Sequence, residues 1–146
     1  MLTVMVEIIF NKVQAVISHL VMSIPAIKGI EFGSGFQAAK MKGSEHNDPI
    51  IDKNGKTKTN HAGGINGGIT NGNDLLFRLA IKPTSSTPKK QQTINLENEK
   101  IEELEVEGRH DACIALRIPV IIEAITAIAL ADFMIQEQRI PRVYDS

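Results

Sequence analysis

Apolar residues recur with helical spacing from Glu7 to Ile24. Ile9, Val13, Val16, Leu20 and Ile24 form one stripe, widened by Ile17 and Val21, with Asn11, Gln14 and Ser18 off it. Pro25 ends the helix, because it has no N–H to continue the ladder. Residues 1–6 are apolar without a period and receive no element. Ala26 to Phe32 is expected as a strand, Gly33-Ser-Gly35 as a turn, and Phe36 to Met41 as the returning strand. Asp74 to Lys82 alternates most clearly. Leu75, Phe77, Leu79 and Ile81 belong to one face, while Arg78 and Lys82 share the other, which meets either solvent or an anion. Gln92 to Leu96 and Leu104 to Glu107 predict a hairpin bent around Glu97-Asn-Glu-Lys100. A last helix carries Ile118, Ile122, Ile125, Ala129 and Phe133 on one stripe, with Pro119 in its first turn. Ala124, Ala127 and Ala131 would let a neighbour pack closely against it. Long helices with antiparallel-type strands give an α+β class, expected as a single domain over residues 1–146.

Between these elements, Gly43 to Asn73 breaks the pattern. Seven of the eleven glycines fall between Gly43 and Gly72. So much glycine carries an entropy cost on ordering, and it lets a ligand approach the backbone. The stretch reads either as a surface linker or as a ligand loop. The paired glycines alternating with Ile65 and Ile69 look more ordered than a linker, and Asp52-Lys-Asn-Gly55 marks a turn at a loop tip.

Composition narrows the function classes. A net charge of −1 gives no electrostatic case for nucleic acid or an anionic membrane. One tyrosine and no tryptophan leave little to stack on bases. The single Cys113 excludes an internal disulfide and fits a reducing compartment. Met1 to Phe10 lacks the basic start and cleavage site of a signal peptide. The longest apolar run, Ile118 to Met134, is interrupted by Glu123 and Asp132 and reads as a buried helix rather than a membrane span.

Several polar clusters are candidates for chemistry. His19, His46, His61 and His110 show no metal-ligand spacing, so no metal site is expected. Neither phosphate-loop nor dinucleotide glycine patterns occur. Ser44-Glu-His-Asn-Asp48 reads as an Asx-type turn or a polar site wall. Lys82-Pro-Thr-Ser-Ser86 sets one cation before three hydroxyls, which is chemistry that can hold a phosphate. Arg109-His110-Asp111 offers either proton exchange or an Arg–Asp pair pinning a helix start. The six glutamates from Glu97 to Glu107 read as a solvated edge.

In order along the chain, Ser23-Ile-Pro-Ala-Ile-Lys-Gly29, Gly33-Ser-Gly-Phe36, Gly43-Ser-Glu-His-Asn-Asp48, Thr59-Asn60, Gly63-Gly-Ile-Asn-Gly-Gly-Ile69, Asn71-Gly72, Lys82-Pro-Thr-Ser-Ser86 and Gly108-Arg-His-Asp111 resemble the C-terminal part of the chorismate synthase family. The resemblance covers about Glu7 to Asp132. It implies a β-α-β sandwich, assembled in the family as a homotetramer. It implies loss of phosphate from 5-enolpyruvylshikimate 3-phosphate by a 1,4-anti elimination to give chorismate. Reduced FMN is the implied cofactor, and NADPH, a cytoplasmic setting and aromatic amino acid biosynthesis come with the family.

Carried over residue by residue, the resemblance places the backbone of Pro25 and Ala26 and the surface of Gly67 against FMN. Lys82, Pro83, Thr84, Ser85 and Ser86 wrap its phosphate end, and Arg109 is a flavin-site arginine. Asp111 is the implied catalytic carboxylate, handling a proton near the flavin. Ser44 to Asp48 and Asn60 match blocks near the site. Ala112 stands where the family commonly has proline. The family's N-terminal half, with a Gly-x-Ser-His-Gly motif, an arginine-rich substrate site and two catalytic histidines, has no match here. The expectation is therefore an enzyme by family whose turnover needs that half. A flavin- or phosphate-binding module without catalysis, or a degenerate remnant, is the alternative.

Overall fold

The computed structural model describes residues 11–108, 111 and 113–140. The expected helix appears as α1, Val13–Met22, with Val13, Ile17 and Val21 fully buried along its stripe. The part of the expected helix at Glu7–Phe10 lies outside the described residues. Pro25 stops α1 as its missing N–H requires, and the chain reverses into β1, Ile27–Phe32. Its partner is β4, Phe77–Ile81, which pairs antiparallel with Ile30 opposite Leu79 and Phe32 opposite Phe77. Along β4 the alternation is as read from the sequence: Phe77, Leu79 and Ile81 face inward, Arg78 and Ala80 outward. The Phe32 and Phe77 rings meet with centroids 5.6 Å apart. On the outer face, Arg78 Nε donates to Glu31 Oε1 at 2.8 Å and Arg78 Nη2 to the Gly33 carbonyl at 3.2 Å. Arg78 is thus a cross-strand tie.

Phe36 to Met41 forms no returning strand. Gly35–Lys40 is a short 3₁₀ helix, and Phe36 is 83% exposed. The physical reason is local: Gly33 and Gly35, both at positive φ, carry the chain into the 3₁₀ turn, and Glu31 turns back to accept the Phe36 N–H at 3.0 Å. The predicted hairpin exists as β5, Gln91–Asn95, and β6, Lys100–Leu104, so its second strand begins four residues earlier than expected. Glu99 takes the left-handed conformation at the bend. Asn95 and Asn98 amides both donate to Glu102 and hold its carboxyl below the ordinary glutamate range.

Helix α3, Ile118–Gln136, starts with Pro119 in its first turn and lays Ile118, Ala129 and Phe133 against α1. Ile122 and Ile125 complete that stripe, half-buried. The expectation of a buried helix is corrected on the opposite side. Val120 and Ile128 stand 68% and 63% exposed, and Ala124 and Ala127 are exposed beside them. The segment Ile114–Gln136 is long and apolar enough to cross a membrane by length and composition, but its inner face is packed on α1 as in a core helix. Together these elements give an α+β arrangement of antiparallel two-stranded ribbons and two long helices.

The glycine-rich stretch is ordered. Gly67 and Gly68, both at positive φ, turn β2, Ile65–Asn66, into β3, Ile69–Thr70. This is the left-handed pair that a two-residue hairpin requires. Before it, Gly63 passes directly against Gly33. The Gly33 N–H donates to the Leu76 carbonyl at 2.9 Å, and the Leu76 N–H to the Gly63 carbonyl at 3.1 Å. A Cβ on Gly63 would meet Gly33 N at 2.5 Å and Leu76 O at 2.7 Å, all backbone that cannot yield. We expect Gly63→Ala to destabilise the fold by about 3 kcal/mol, from positive φ and overpacking together. Gly43→Ala meets nothing within 4 Å and is expected to be near neutral. Urea unfolding midpoints of the two variants check this pair.

Candidate functional site

Two groups of sequence-selected residues lie at opposite ends of α1. At its N-terminal end, the Val13 N–H donates to the Gly68 carbonyl at 2.9 Å, which fixes the Gly67–Gly68 turn there. A Cβ built on Gly67 meets nothing within 4 Å, so this turn presents open backbone. At the other end, Pro25 and Ala26 follow the helix. The ten residues of α1 separate the two ends by about 15 Å.

Ala26 holds φ of 73°, a left-handed conformation that costs a non-glycine residue about 1 kcal/mol or more. The conformation turns its carbonyl to accept the Lys82 N–H at 2.7 Å. Pro25–Ala26 and the start of Lys82–Ser86 are therefore neighbours, though they are far apart in sequence. Past Lys82 the chain forms a cleft of about 380 Å³, lined by Pro83, Thr84, Ser86, Thr87, Pro88, Gly108 and Asp111. Ser85 is exposed and is not one of its lining residues. The Thr84 hydroxyl donates to the Asp111 carbonyl at 2.9 Å and so ties the two walls. The Thr87 hydroxyl accepts from the Gln91 amide at 3.2 Å, which leaves its own proton to donate into the cleft.

The Asp111 carboxylate is paired at 2.8 Å with Arg117, the residue that precedes α3. Both groups are largely exposed, so the pair orients more than it stabilises. Asp111 thus takes part in an Arg–Asp pair at the start of α3, with Arg117; the arginine of the Arg109-His110-Asp111 block lies outside the described residues. The signal for Arg117 was available in the sequence: a cation six residues past Asp111, just before a helix-starting proline. His110 and Ala112 also lie outside the described residues.

Near Gly63, the block Ser44–Asp48 has a structural role. Gly43–His46 forms one helical turn, α2, and Glu45 Oε2 accepts the Lys42 N–H at 2.9 Å. Asp48 then gathers three donors: the Thr59 hydroxyl at 2.7 Å, the His61 N–H at 2.8 Å and the Ala62 N–H at 2.9 Å. Partial burial pushes its carboxyl up. The N–H groups of Ala62 and His61, the Thr59 hydroxyl and the nearby His61 ring outweigh this and hold it below 3.8. His61 Nδ1 bonds Ser34 Oγ at 2.9 Å, and the His61 ring lies against His46 with centroids 5.6 Å apart. Asn60 bridges the Gly64 N–H and the Asp74 carbonyl at 2.7 and 2.8 Å. These residues shape the wall rather than opening onto the cleft. No group of three metal-ligating side chains occurs among the described residues.

Since the folded Asp48 carboxyl is held low, its bonds stabilise the fold fully above the unfolded value of 3.8 and are lost as pH falls through the folded value. We expect the gap in urea midpoint between wild type and Asp48→Asn to be constant near neutrality and to close below about pH 3.8. Denaturant titrations at stepped pH measure it.

Comparison with known proteins places this arrangement. A family model described as chorismate synthase matches residues 4–135. A chorismate synthase from Chitinophaga pinensis is 64% identical over 138 residues, covering 94% of this chain and 42% of the relative. One from Archaeoglobus fulgidus is 50% identical over 138 residues, covering 93% of this chain and 38% of the relative. A crystal structure of chorismate synthase superposes with a TM-score of 0.65 at 32% identity, covering 86% of this chain and 31% of that one. The chain thus spans about two-fifths of the length of these curated relatives.

Proposed function

The chain belongs to the chorismate synthase family, and from that premise we propose that it forms, as one domain, the flavin-facing wall of an enzyme that eliminates phosphate from 5-enolpyruvylshikimate 3-phosphate. The observation that carries the reading is the cleft that Thr84 closes onto Asp111, with a family-matching segment on each side. The donor set fits a phosphate monoester: the exposed Lys82 ammonium, and the Ser86 and Thr87 hydroxyls in the cleft. The Ala26 backbone and the bare surface of Gly67 fit the approach of a flat ring system, with Gly67 at the far end of α1. Reduced FMN, when bound, supplies electron density transiently while phosphate leaves.

In the 1,4-anti elimination, the bond from carbon to phosphate oxygen breaks, a proton leaves the opposite face, and a double bond forms with no net redox change. Asp111, oriented by Arg117, is the carboxylate we assign to proton handling, and Arg109 is assigned to the flavin. Chorismate is the product, on the route to aromatic amino acids. The working assembly is a homotetramer in the cytoplasm, with NADPH as the source of flavin electrons. The outward apolar residues of α3 and the exposed Ile94–Ile101 pair of the hairpin support burial in a larger assembly. A single exposed cysteine supports a reducing compartment.

Because the chain spans 42% of its Chitinophaga pinensis relative, we assign turnover to the combination with the remaining length. Under anaerobic conditions with reduced FMN and substrate, the chain alone is expected to give no chorismate. Adding the rest of that relative as a second polypeptide is expected to restore it. Chorismate formed by the chain alone would overturn the division of labour, and failure to quench flavin fluorescence in either state would overturn the flavin reading. In the restored enzyme, Asp111→Asn is expected to lower kcat at least a hundredfold with little change in flavin affinity. Lys82→Ala is expected to weaken flavin binding about tenfold. Fluorescence titration and product absorbance separate the two effects.

A further inference from the structure

A groove of about 750 Å³ lies away from the Lys82 cleft. It runs between the loop tip at residues 52–58 and the strand-entry segment at 72–74, at the glycine end of α1. Lys53, Lys56 and Lys58 line it, with Asn60, Asn73 and Asp74. Three lysines therefore line the groove with one acidic residue, in a chain whose net charge is −1. Among the described residues, ion pairs engage Arg78, Lys90 and Arg117, and none of these three lysines.

The lysines are clustered by a built frame. Asp52 Oδ1 accepts the N–H groups of Asn54 and Lys56 at 2.8 and 2.9 Å, which fixes the tip. Ile50 bridges Thr57 in an antiparallel pair, and the Ile51 N–H donates to the Lys56 carbonyl at 2.8 Å. Thr57 and Thr59 are half-buried: the Thr57 N–H is taken by Asn73 Oδ1 at 3.0 Å, and the Thr59 hydroxyl by Asp48. Lys56 and Lys58, two residues apart, are both exposed and both line the groove. Asn73 Nδ2 donates back to the Gly55 carbonyl at 3.2 Å and joins the two walls.

We propose that this groove is a second anion site, taking a multiply charged phosphate ligand such as a pyrophosphate or a phosphate monoester. Like charges held close together repel, and a ligand with two or more negative charges relieves that repulsion in a way that a monovalent ion cannot. Three flexible ammonium donors suit a phosphate group whose oxygens point in several directions. Asp74 on the opposite wall limits the site to one such group, since further negative charge would meet it.

Inorganic pyrophosphate is the probe, titrated into the full chain by calorimetry at low ionic strength, with sodium chloride at matched ionic strength as competitor. We expect a binding event that the double variant Lys56→Ala/Lys58→Ala weakens at least tenfold. Lys40→Ala, an exposed lysine outside both clefts, should bind as wild type. Amide resonances of Thr57, Asn60 and Asn73 should shift with the same dissociation constant. Both substituted lysines are exposed, and an unchanged thermal midpoint shows that the variant is folded. The proposal fails if no binding is seen at millimolar pyrophosphate, or if chloride competes equally. It also fails if affinity is lost in Lys82→Ala and kept in the double variant, which would place the anion in the other cleft.

Discussion

The crossing of two backbones at Gly33 and Gly63 is the constraint on which the rest of the fold depends. Strand β1 ends there, the glycine-rich stretch passes through it, and Leu76 leads out of it into β4. Main-chain hydrogen bonds tie all three segments, and there is no room for a Cβ between them. The packing of β1 on β4, and of α1 over that ribbon, follows from where this crossing places the chain. Asp48 secures the same junction from outside by taking up donors at Thr59, His61 and Ala62 that would otherwise be left for water.

Helix α1 acts as a spacer between two chemically different ends. One end carries open glycine backbone and the lysine-lined groove. The other carries the left-handed Ala26, the Lys82 N–H that it accepts, and the hydroxyl-lined cleft at Asp111. A rigid apolar stripe of Val13, Ile17 and Val21 against Phe133, Ala129 and Ile118 keeps these ends apart. The polar groups at both ends are thus held by a hydrophobic contact that contains none of them. The core is also one-sided: α3 commits one stripe and leaves the other apolar face outward. A contiguous apolar surface of that kind marks an interaction site.

Much of this was legible in the residues because it rests on local periodicity. The α1 and α3 stripes, the β4 alternation and the Asp52–Gly55 turn each follow from spacing and backbone preference within a few residues. The return strand after Gly35 was misjudged because Gly33 and Gly35, both at positive φ, carry the chain into a 3₁₀ turn, while β1 took β4, more than forty residues away, as its partner. The second strand of the hairpin was misplaced because Glu99 adopts the left-handed bend, and no glycine or proline marked it. Arg78 and Asn60 carried ambiguous polar signals that became ties once their partners, Glu31 and Asp74, were known.

By itself the sequence determined α1, α3, β1 and β4, the inward stripes of those helices and of β4, and, through the order of its motifs, the family. Those features depend on side-chain period and on residues that the backbone cannot replace. Only the tertiary structure decided that Asp111 pairs with Arg117, that Pro25–Ala26 meets Lys82, that Gly67 stands at the far end of α1, and that three lysines share one groove. Each of these is a distance between residues separated along the chain, set by strand register and helix packing, and no local pattern encodes it.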